Sequence, residues 1–432
     1  MSYKIYFYGK QNISLSDIWS VIKVLKSDYL TQGPKVKEFE QAICDYTGAK
    51  YCVAVSNGTA ALHLAVAIFN LNFDDEVITT PISFVATSNS ILYSGANVVF
   101  ADIDSKTANI DTNEVLKKIT NKTKGIIPVH YAGQSCDMES ISKIAKEHNL
   151  FVIEDAAHAI GSLYKGVKVG SCKYSDITTF SFHPVKTITT GEGGAITTNN
   201  KDIYEKLLML RSHGITRDKT RFVIPGLIQP SHKVTTDMAE DSVIKKTFVI
   251  PDLDPLGSLS RVFEGGSSSL KKSLYGPWYY EQQELGFNYR LPDINAALGI
   301  SQLKRLDKFV KRRREIVEFY KNEFANDDRF SFLQESKDSK AAFHLFPLLI
   351  NFEKIKINKE KLFLKLQENG LNLQVHYIPI HLQPYYRQLG FNKGEFSNAE
   401  EFYEQEISLP LYVSLNRRDV LNIVEIINKI VK

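Results

Sequence analysis

The run Asp176-Ile-Thr-Thr-Phe-Ser-Phe-His-Pro-Val-Lys186 carries a half-apolar strand into a proline and ends on one amine. Glu192-Gly193-Gly194 follows, and then a second strand-like run, Ala195-Ile-Thr-Thr198. A lysine on a short loop between two buried strands has backbone all around it. Burial there lowers its pKa toward the nucleophilic free base that imine chemistry requires. Alone, Lys186 is one of 53 Lys and Arg, and an ordinary solvated lysine is the simpler reading. Two further features change that balance. Asp155 ends the apolar run Phe151-Val-Ile-Glu154, where the strand ends of a parallel sheet face a ligand crevice. By itself, Asp155 reads first as a cap on the turn into Ala156-Ala157-His158. At Val55-Ser-Asn-Gly-Thr59 a strand gives way to a helix, whose free N–H groups and dipole suit a phosphate.

Taken together, these parts match the three ends of pyridoxal phosphate. Its aldehyde needs an amine, Lys186. Its pyridine nitrogen needs a carboxylate to stay protonated, Asp155. Its phosphate needs a helix N-terminus with hydroxyls, Gly58-Thr59, and Ser181 supplies another hydroxyl. An ionised aspartate opposite a pyridinium makes the ring an electron sink.

The elements that must position these groups alternate. Strand-like runs at Tyr51–Val55, Glu76–Thr79, Val98–Ala101, Gly125–Val129 and Phe151–Glu154 are separated by helical stretches such as Thr59–Phe69, Ser83–Tyr93 and Glu139–His148. Two helices, Ser14–Lys26 and Lys35–Tyr46, precede them. Strands this apolar, spaced by helices, predict an α/β domain with a mostly parallel sheet covered on both faces. After Leu291 the pattern predicts one long charged helix over Pro292–Phe324. Phe343–Asn351, a helix near Lys359–Glu368, Asn372–His376 and a terminal helix over Arg417–Val431 then form a smaller α+β domain. The expected division is a large domain of 1–215 and 277–310 with an N-terminal arm 1–30, and a small domain of 311–432. Residues 216–276 read as an inserted lid or subdomain, rich in breakers and weak in periodicity.

Composition narrows the class. The 432 residues carry a net charge of only +4, dispersed along the chain. Lys311-Arg312-Arg313-Arg314 falls in a helical pattern with Glu315 and Glu318, a solvated face rather than a nucleic-acid stripe. No apolar run approaches the ~18 residues of a membrane span, and Met1–Tyr8 lacks the order of a signal peptide. Cys44, Cys52, Cys136 and Cys172 show no metal-like pairing and read as reduced residues of a cytoplasmic protein.

The motifs Asp155-Ala-Ala-His158, Ser181-Phe-His183 followed by Lys186, Glu192-Gly-Gly194, Arg211-Ser-His-Gly214 and Gly286-Phe-Asn-Tyr-Arg290 occur in this order. In this the chain resembles the sugar aminotransferases of the DegT/DnrJ/EryC1/StrS family, of the aspartate-aminotransferase fold (pyridoxal-phosphate fold type I). The resemblance runs from about Tyr6 to the C-terminus outside the insert. Leu30-Thr31-Gln32-Gly33, Thr80–Thr87 and Gln374-Val-His-Tyr377 point within the family to transfer from L-glutamate to C4 of a UDP-linked 4-keto-6-deoxy-N-acetylhexosamine.

The resemblance implies that Lys186 is the Schiff-base lysine and Asp155 the partner of the pyridine nitrogen. It places His158 beside the ring's phenolic oxygen, Phe84 stacked on the ring, and Gly58, Thr59 and Ser181 on the phosphate. Asn288 would reach the cofactor phosphate of a second copy, implying a homodimer with shared sites. Substrate contacts are implied for Tyr6, Thr31, Gln32, His183 and His376, where the two histidines are equally readable as hydrogen-bonded core residues. Some relatives carry histidine in place of the lysine and run dehydration; Lys186 favours amino transfer. Another nucleotide keto-sugar and a non-catalytic regulatory protein of the same fold remain the alternatives at this stage.

Overall fold

The computed structural model describes residues 4–222 and 277–432. It forms two compact units, Met1–Ser212 with Asn288–Lys432, and His213–Phe287. In the second unit the described ends pair as a short antiparallel ribbon, Ile215–Thr216 with Glu281–Gln282. Most of the expected lid, residues 223–276, lies outside the described residues.

In the first unit the α/β half builds on seven strands: β1 (Tyr51–Val55), β2 (Glu76–Thr79), β3 (Asn97–Phe100), β4 (Thr123–Ile127), β5 (Phe151–Asp155), β6 (Ile177–Ser181) and β7 (Gly194–Thr198). Their order is β1-β7-β6-β5-β4-β2-β3. Every pair that β7 does not enter is parallel. β7 runs antiparallel between β1 and β6, with Gly194 opposite both Val55 and Ser181. That register collects the ends of β1, β5 and β6 on one edge. The sheet is buried on both faces, as its near-continuous apolar strands require. Ala54, Ala195, Phe180, Val152, Ile126 and Ile78 stand in register on one face, which packs on Phe39, Ile43 and Phe309 toward β1 and on Ile141 and Ile144 toward β4.

Local signals set the helix ends. In α1 (Leu15–Leu25), Ser14 and Asp17 form a reciprocal capping box. α2 (Pro34–Thr47) opens on a proline and closes on Gly48 at φ 84°. α3 (Gly58–Ala67) is capped by Asn57, whose side chain accepts the Ala60 N–H. α4 (Ala86–Tyr93) begins three residues later than the sequence predicts. There Ser83 Oγ is drawn to Thr87 Oγ1, 2.7 Å away, instead of entering the helix. α5 (Thr112–Lys118), α6 (Met138–His148) and α7 (Lys201–Arg211) complete this half.

The helix expected over Pro292–Phe324 is two helices, α8 (Asp293–Leu303) and α9 (Leu306–Phe324). At the break Arg305 takes φ −109°, ψ 0°. Its guanidinium clasps Asn12 Oδ1 at 3.0 Å and the fully buried Asp17. A charge-assisted tertiary clasp outweighs one helical turn. The C-terminal half holds three antiparallel strands, β8 (Phe330–Phe332), β9 (Pro347–Ile350) and β10 (Glu406–Ser408), in the order β8-β9-β10. They are joined by α10 (Lys359–Glu368), α11 (Pro384–Gln388), α12 (Ser397–Gln405) and α13 (Arg417–Ile430). α13 buries Val420, Ile423, Val424 and Ile427, an i, i+3, i+4, i+7 stripe, against a core of its own. The strand expected at Asn372–His376 is shorter: only Leu371–Asn372 pairs regularly, with Tyr6–Phe7, and Gln374 makes a single bridge to Ser408.

The two halves meet at Gly133, where φ is +94° and a Cβ would lie 2.9 Å from the His158 carbonyl and 3.0 Å from the Phe343 nitrogen. Backbone atoms on both sides cannot give way. We expect Gly133→Ala to cost about 2–3 kcal/mol. Gly166→Ala, at φ +76° with open space around it, should cost roughly 1 kcal/mol. Equal urea midpoints for the two variants would show that the junction is looser than described.

Candidate active site

β6 and β7 form a hairpin whose long loop carries Lys186. The loop is stitched shut by backbone: Phe182 N–H to the Gly193 carbonyl at 2.8 Å, Thr190 N–H to Phe182 at 3.0 Å, and Lys186 N–H to His183 at 2.9 Å. β5 delivers Asp155, which is 4 % exposed. Its carboxylate accepts the Thr87 hydroxyl at 2.7 Å and the Ala157 N–H at 3.1 Å. Thr87 spends its one proton on Asp155, so Ser83 donates to Thr87 and completes a short chain.

Lys186 and Asp155 line one cavity of about 750 Å³. Gly58, Thr59, Phe84, His158, Ser181, His183 and His376 also line it. So do Tyr8, Thr87, His344, Gln374 and Tyr377, which sequence reasoning did not single out as site residues. Phe84 and His183 are exposed to this space, while His158, His344 and His376 are buried in its wall. A hollow of about 820 Å³ along α9, lined by Tyr46, Asp307, Val310 and Phe319, carries none of these groups.

The structure does not bring every expected residue here. Tyr6 is 3 % exposed and its hydroxyl donates to Asp419 Oδ1 at 3.1 Å, within the C-terminal core. Thr31 and Gln32 are exposed before α2, and Asn288 is exposed on the backbone bridge to Ser212. Tyr6, Thr31 and Gln32 do not line the cavity, nor does Asn288, which was expected at the site of a second copy.

Electrostatics in the cavity favour neutral bases. Burial pulls the Lys186 amine down to about 8, against the upward pull of the Asp155 charge. Burial, and then the positive charge of Lys186, hold His158 and His344 well below the usual imidazole range and bring His376 to about 3. His158 Nε2 meets the Tyr377 hydroxyl at 3.0 Å, and its Nδ1 is buried without a partner among the described residues. The His344 ring lies 4.5 Å from that of His158. Its backbone is held from behind by Arg313, a 1 % exposed cation that donates to the carbonyls of Phe343, His344 and Leu411 at 3.3, 3.2 and 2.9 Å. These links join residues far apart in sequence; His158 and the His-Tyr pair of Gln374–Tyr377 lie in motifs named above, whereas Arg313 and His344 lie in none.

The residues fit pyridoxal phosphate. An amine and a carboxylate share one cavity. A Cβ on Gly58 would lie 2.8 Å from Ser181 Cβ, so the open end of α3 sits directly against the Ser181 hydroxyl. The first amides of a helix have no partner within it, and Gly58 and Thr59 at the start of α3 line the cavity together with Ser181. His158 Nδ1 would supply a polar contact for a ring substituent.

Known proteins agree with this geometry. A family model, the DegT/DnrJ/EryC1/StrS aminotransferase family, matches residues 12–227 and 269–428. The UDP-4-amino-4,6-dideoxy-N-acetyl-beta-L-altrosamine transaminase of Campylobacter jejuni strain 81-176 is 38 % identical over 95 % of this chain and 94 % of its own. Helicobacter pylori PseC, an aminotransferase involved in the biosynthesis of pseudoaminic acid, superposes with a TM-score of 0.81 at 33 % identity, covering 99 % of both chains. Streptococcus pneumoniae Spr1654, in its PMP form, superposes with a TM-score of 0.80 at 28 % identity over 98 % of both.

We expect Lys186 in the cofactor-free protein to titrate near 8, and Asp155→Asn to lower that value further by removing the carboxylate's pull. The pH dependence of acetylation of the Lys186 peptide, followed by mass spectrometry, reads both. An unchanged profile in the variant would contradict the coupling.

Proposed function

The chain belongs to the DegT/DnrJ/EryC1/StrS aminotransferase family and uses pyridoxal phosphate, and from that premise we propose the following reaction. It transfers the amino group of L-glutamate to C4 of a UDP-linked 4-keto-6-deoxy-N-acetylhexosamine, UDP-2-acetamido-2,6-dideoxy-beta-L-arabino-hex-4-ulose. It does so as a cytoplasmic homodimer and serves the making of a surface glycan of the pseudaminic acid type. The sugar is supported by the likeness to the Campylobacter transaminase and to PseC. The reaction type is supported above all by one observation: the desolvated Lys186 amine and the Asp155 carboxylate share a single cavity.

In this reading Lys186 holds the cofactor's aldehyde, and Asp155, steadied by Thr87, keeps the pyridine nitrogen protonated. Gly58, Thr59 and Ser181 hold the phosphate, Phe84 covers the ring and His158 meets its phenolic oxygen. When bound, pyridoxal phosphate supplies an electron sink that lets a proton leave and rejoin the carbon carrying the transferred nitrogen. Lys186 Nζ then takes the proton from the glutamate α-carbon and later delivers one to the sugar C4. An amine near 8 is poised for both directions close to neutral pH. His183 and His376 contact the sugar. The exposed Asn288 serves the phosphate site of the second copy.

Purified protein is expected to be yellow and to convert this UDP-keto-sugar with glutamate into the 4-amino sugar. A panel of UDP- and dTDP-linked 4-keto and 3-keto sugars, with NMR of each product, tests the assignment. A higher kcat/KM on another sugar, or the opposite configuration at C4, would replace it. Lys186→Ala is expected to lose the visible band and ~10²–10⁴-fold or more in kcat.

A further inference from the structure

The polar chain behind His376 has a direction. Glu406 and Ser408, both 0 % exposed, stand on β10 beneath the segment that carries His376 into the cavity. Ser408 N–H donates to the Gln374 carbonyl at 2.9 Å, and the Tyr131 hydroxyl donates to the His376 carbonyl at 2.5 Å, so the backbone here is pinned. Glu406 accepts twice: from the His376 N–H on Oε2 at 2.9 Å, and from the Ser408 hydroxyl on Oε1 at 2.5 Å. Ser408 Oγ also lies 2.8 Å from His376 Nδ1. A serine has one proton to give. Since that proton goes to the carboxylate, the stronger acceptor, Ser408 Oγ must accept from Nδ1–H. His376 is neutral, so its Nε2 carries no proton and is the nitrogen left for the cavity.

We propose that Glu406 is a positioning residue that fixes, through Ser408, the tautomer of His376, so that Nε2 presents a lone pair to a hydroxyl or amide N–H of the substrate. The substrate side of this rests on the aminotransferase reading above; the tautomer itself does not. An N-acetylhexosamine carries donors of both kinds.

The arrangement carries a pH dependence whose sign follows from the geometry. Burial pushes Glu406 up to about 7, against its bonds from Ser408 and His376 and the charge of Lys359 on α10. The other titratable groups facing it are His376, Tyr131 and Tyr377, with Glu404 beside Lys359. Above the transition the carboxylate can only accept. As pH falls through it, a protonated Oε1 donates to Ser408 Oγ, the serine turns its proton to Nδ1, and Nε2 acquires the hydrogen. Substrate affinity is therefore held above the transition and lost below it.

Glu406→Gln imposes the reversed state at every pH without changing shape. The His376 N–H requires the amide oxygen, which leaves the amide NH₂ to donate to Ser408. Solid-state 15N spectra of the whole histidine-labelled protein, with His376→Asn for assignment, read the tautomer directly. The expected result is a bare Nε2 in the wild type above pH 7, a protonated Nε2 below it, and a protonated Nε2 in Glu406→Gln on both sides. Ser408→Ala should give mixed tautomers that pH does not sort. In kinetics, Glu406→Gln should raise KM for the sugar about tenfold, leave kcat within about twofold, and abolish the rise of KM at low pH. A wild-type His376 protonated on Nε2 above pH 7, or an unchanged tautomer in Glu406→Gln, overturns the proposal. Tautomer reversal in a protein that aminates no keto-sugar would instead overturn the functional reading and leave the positioning role standing.

Discussion

A desolvated amine facing a buried carboxylate is the interaction on which this architecture depends. Burial pulls the Lys186 amine toward its neutral form, and the Asp155 charge restores part of its proton affinity. Charges in a low-dielectric cavity act strongly on each other, so each further group near them must be neutral or tied. The buried groups of the cavity satisfy this condition. His158, His344 and His376 are held neutral by burial and by Lys186 itself, and Asp155 is tied by a hydroxyl and a backbone N–H. The buried cation Arg313 does not line the cavity and is turned instead to the carbonyls of Phe343, His344 and Leu411.

The fold meets that constraint with backbone rather than with side chains. Parallel strands end on a common edge, and one antiparallel strand, β7, turns the chain back so that a loop hangs over that edge. The loop is closed by amide-to-carbonyl bonds, reinforced by the hydroxyls of Thr189 and Thr190. α3 arrives at the same edge with its positive end forward, set by Asn57. Amine, carboxylate and anion site are thus fixed relative to one another by sheet register.

This explains what was legible in the sequence. The strand around Phe151–Asp155, the hairpin around Lys186 and the turn at Asn57-Gly58 are local patterns, and periodicity, breakers and caps report them. What sequence reasoning missed comes from contacts between residues hundreds of positions apart. Tyr377 is paired to His158, Tyr386 to Ser88, and Tyr131 to His376; His158, His376 and Tyr377 lie in motifs, but a motif does not say which distant residue is its partner. The helix over 292–324 failed for the same reason: its charge pattern is continuous, and the break at Arg305 is imposed by Asn12 and Asp17 from the far end of the chain. Tyr6 and Tyr8 show the converse. Both are aromatic and near the same strand, yet Tyr6 closes the C-terminal core while Tyr8 lines the cavity against the His376 ring.

The division of labour between the halves has a consequence for specificity. Every group matched to the cofactor, from Gly58 to Lys186, belongs to the α/β half, and the C-terminal half contributes His344 and Gln374–Tyr377 to the same cavity. That contribution is anchored across the junction by Leu411 N–H to the Tyr8 carbonyl, Ile380 N–H to the Pro81 carbonyl, and the Tyr131 bond to His376. These anchors are backbone groups or a buried hydroxyl, so the side chains of Gln374 and Val375 can vary without moving the segment that bears them. A cavity built this way draws on stretches of chain far apart in sequence, held in register by bonds that do not involve the side chains lining it.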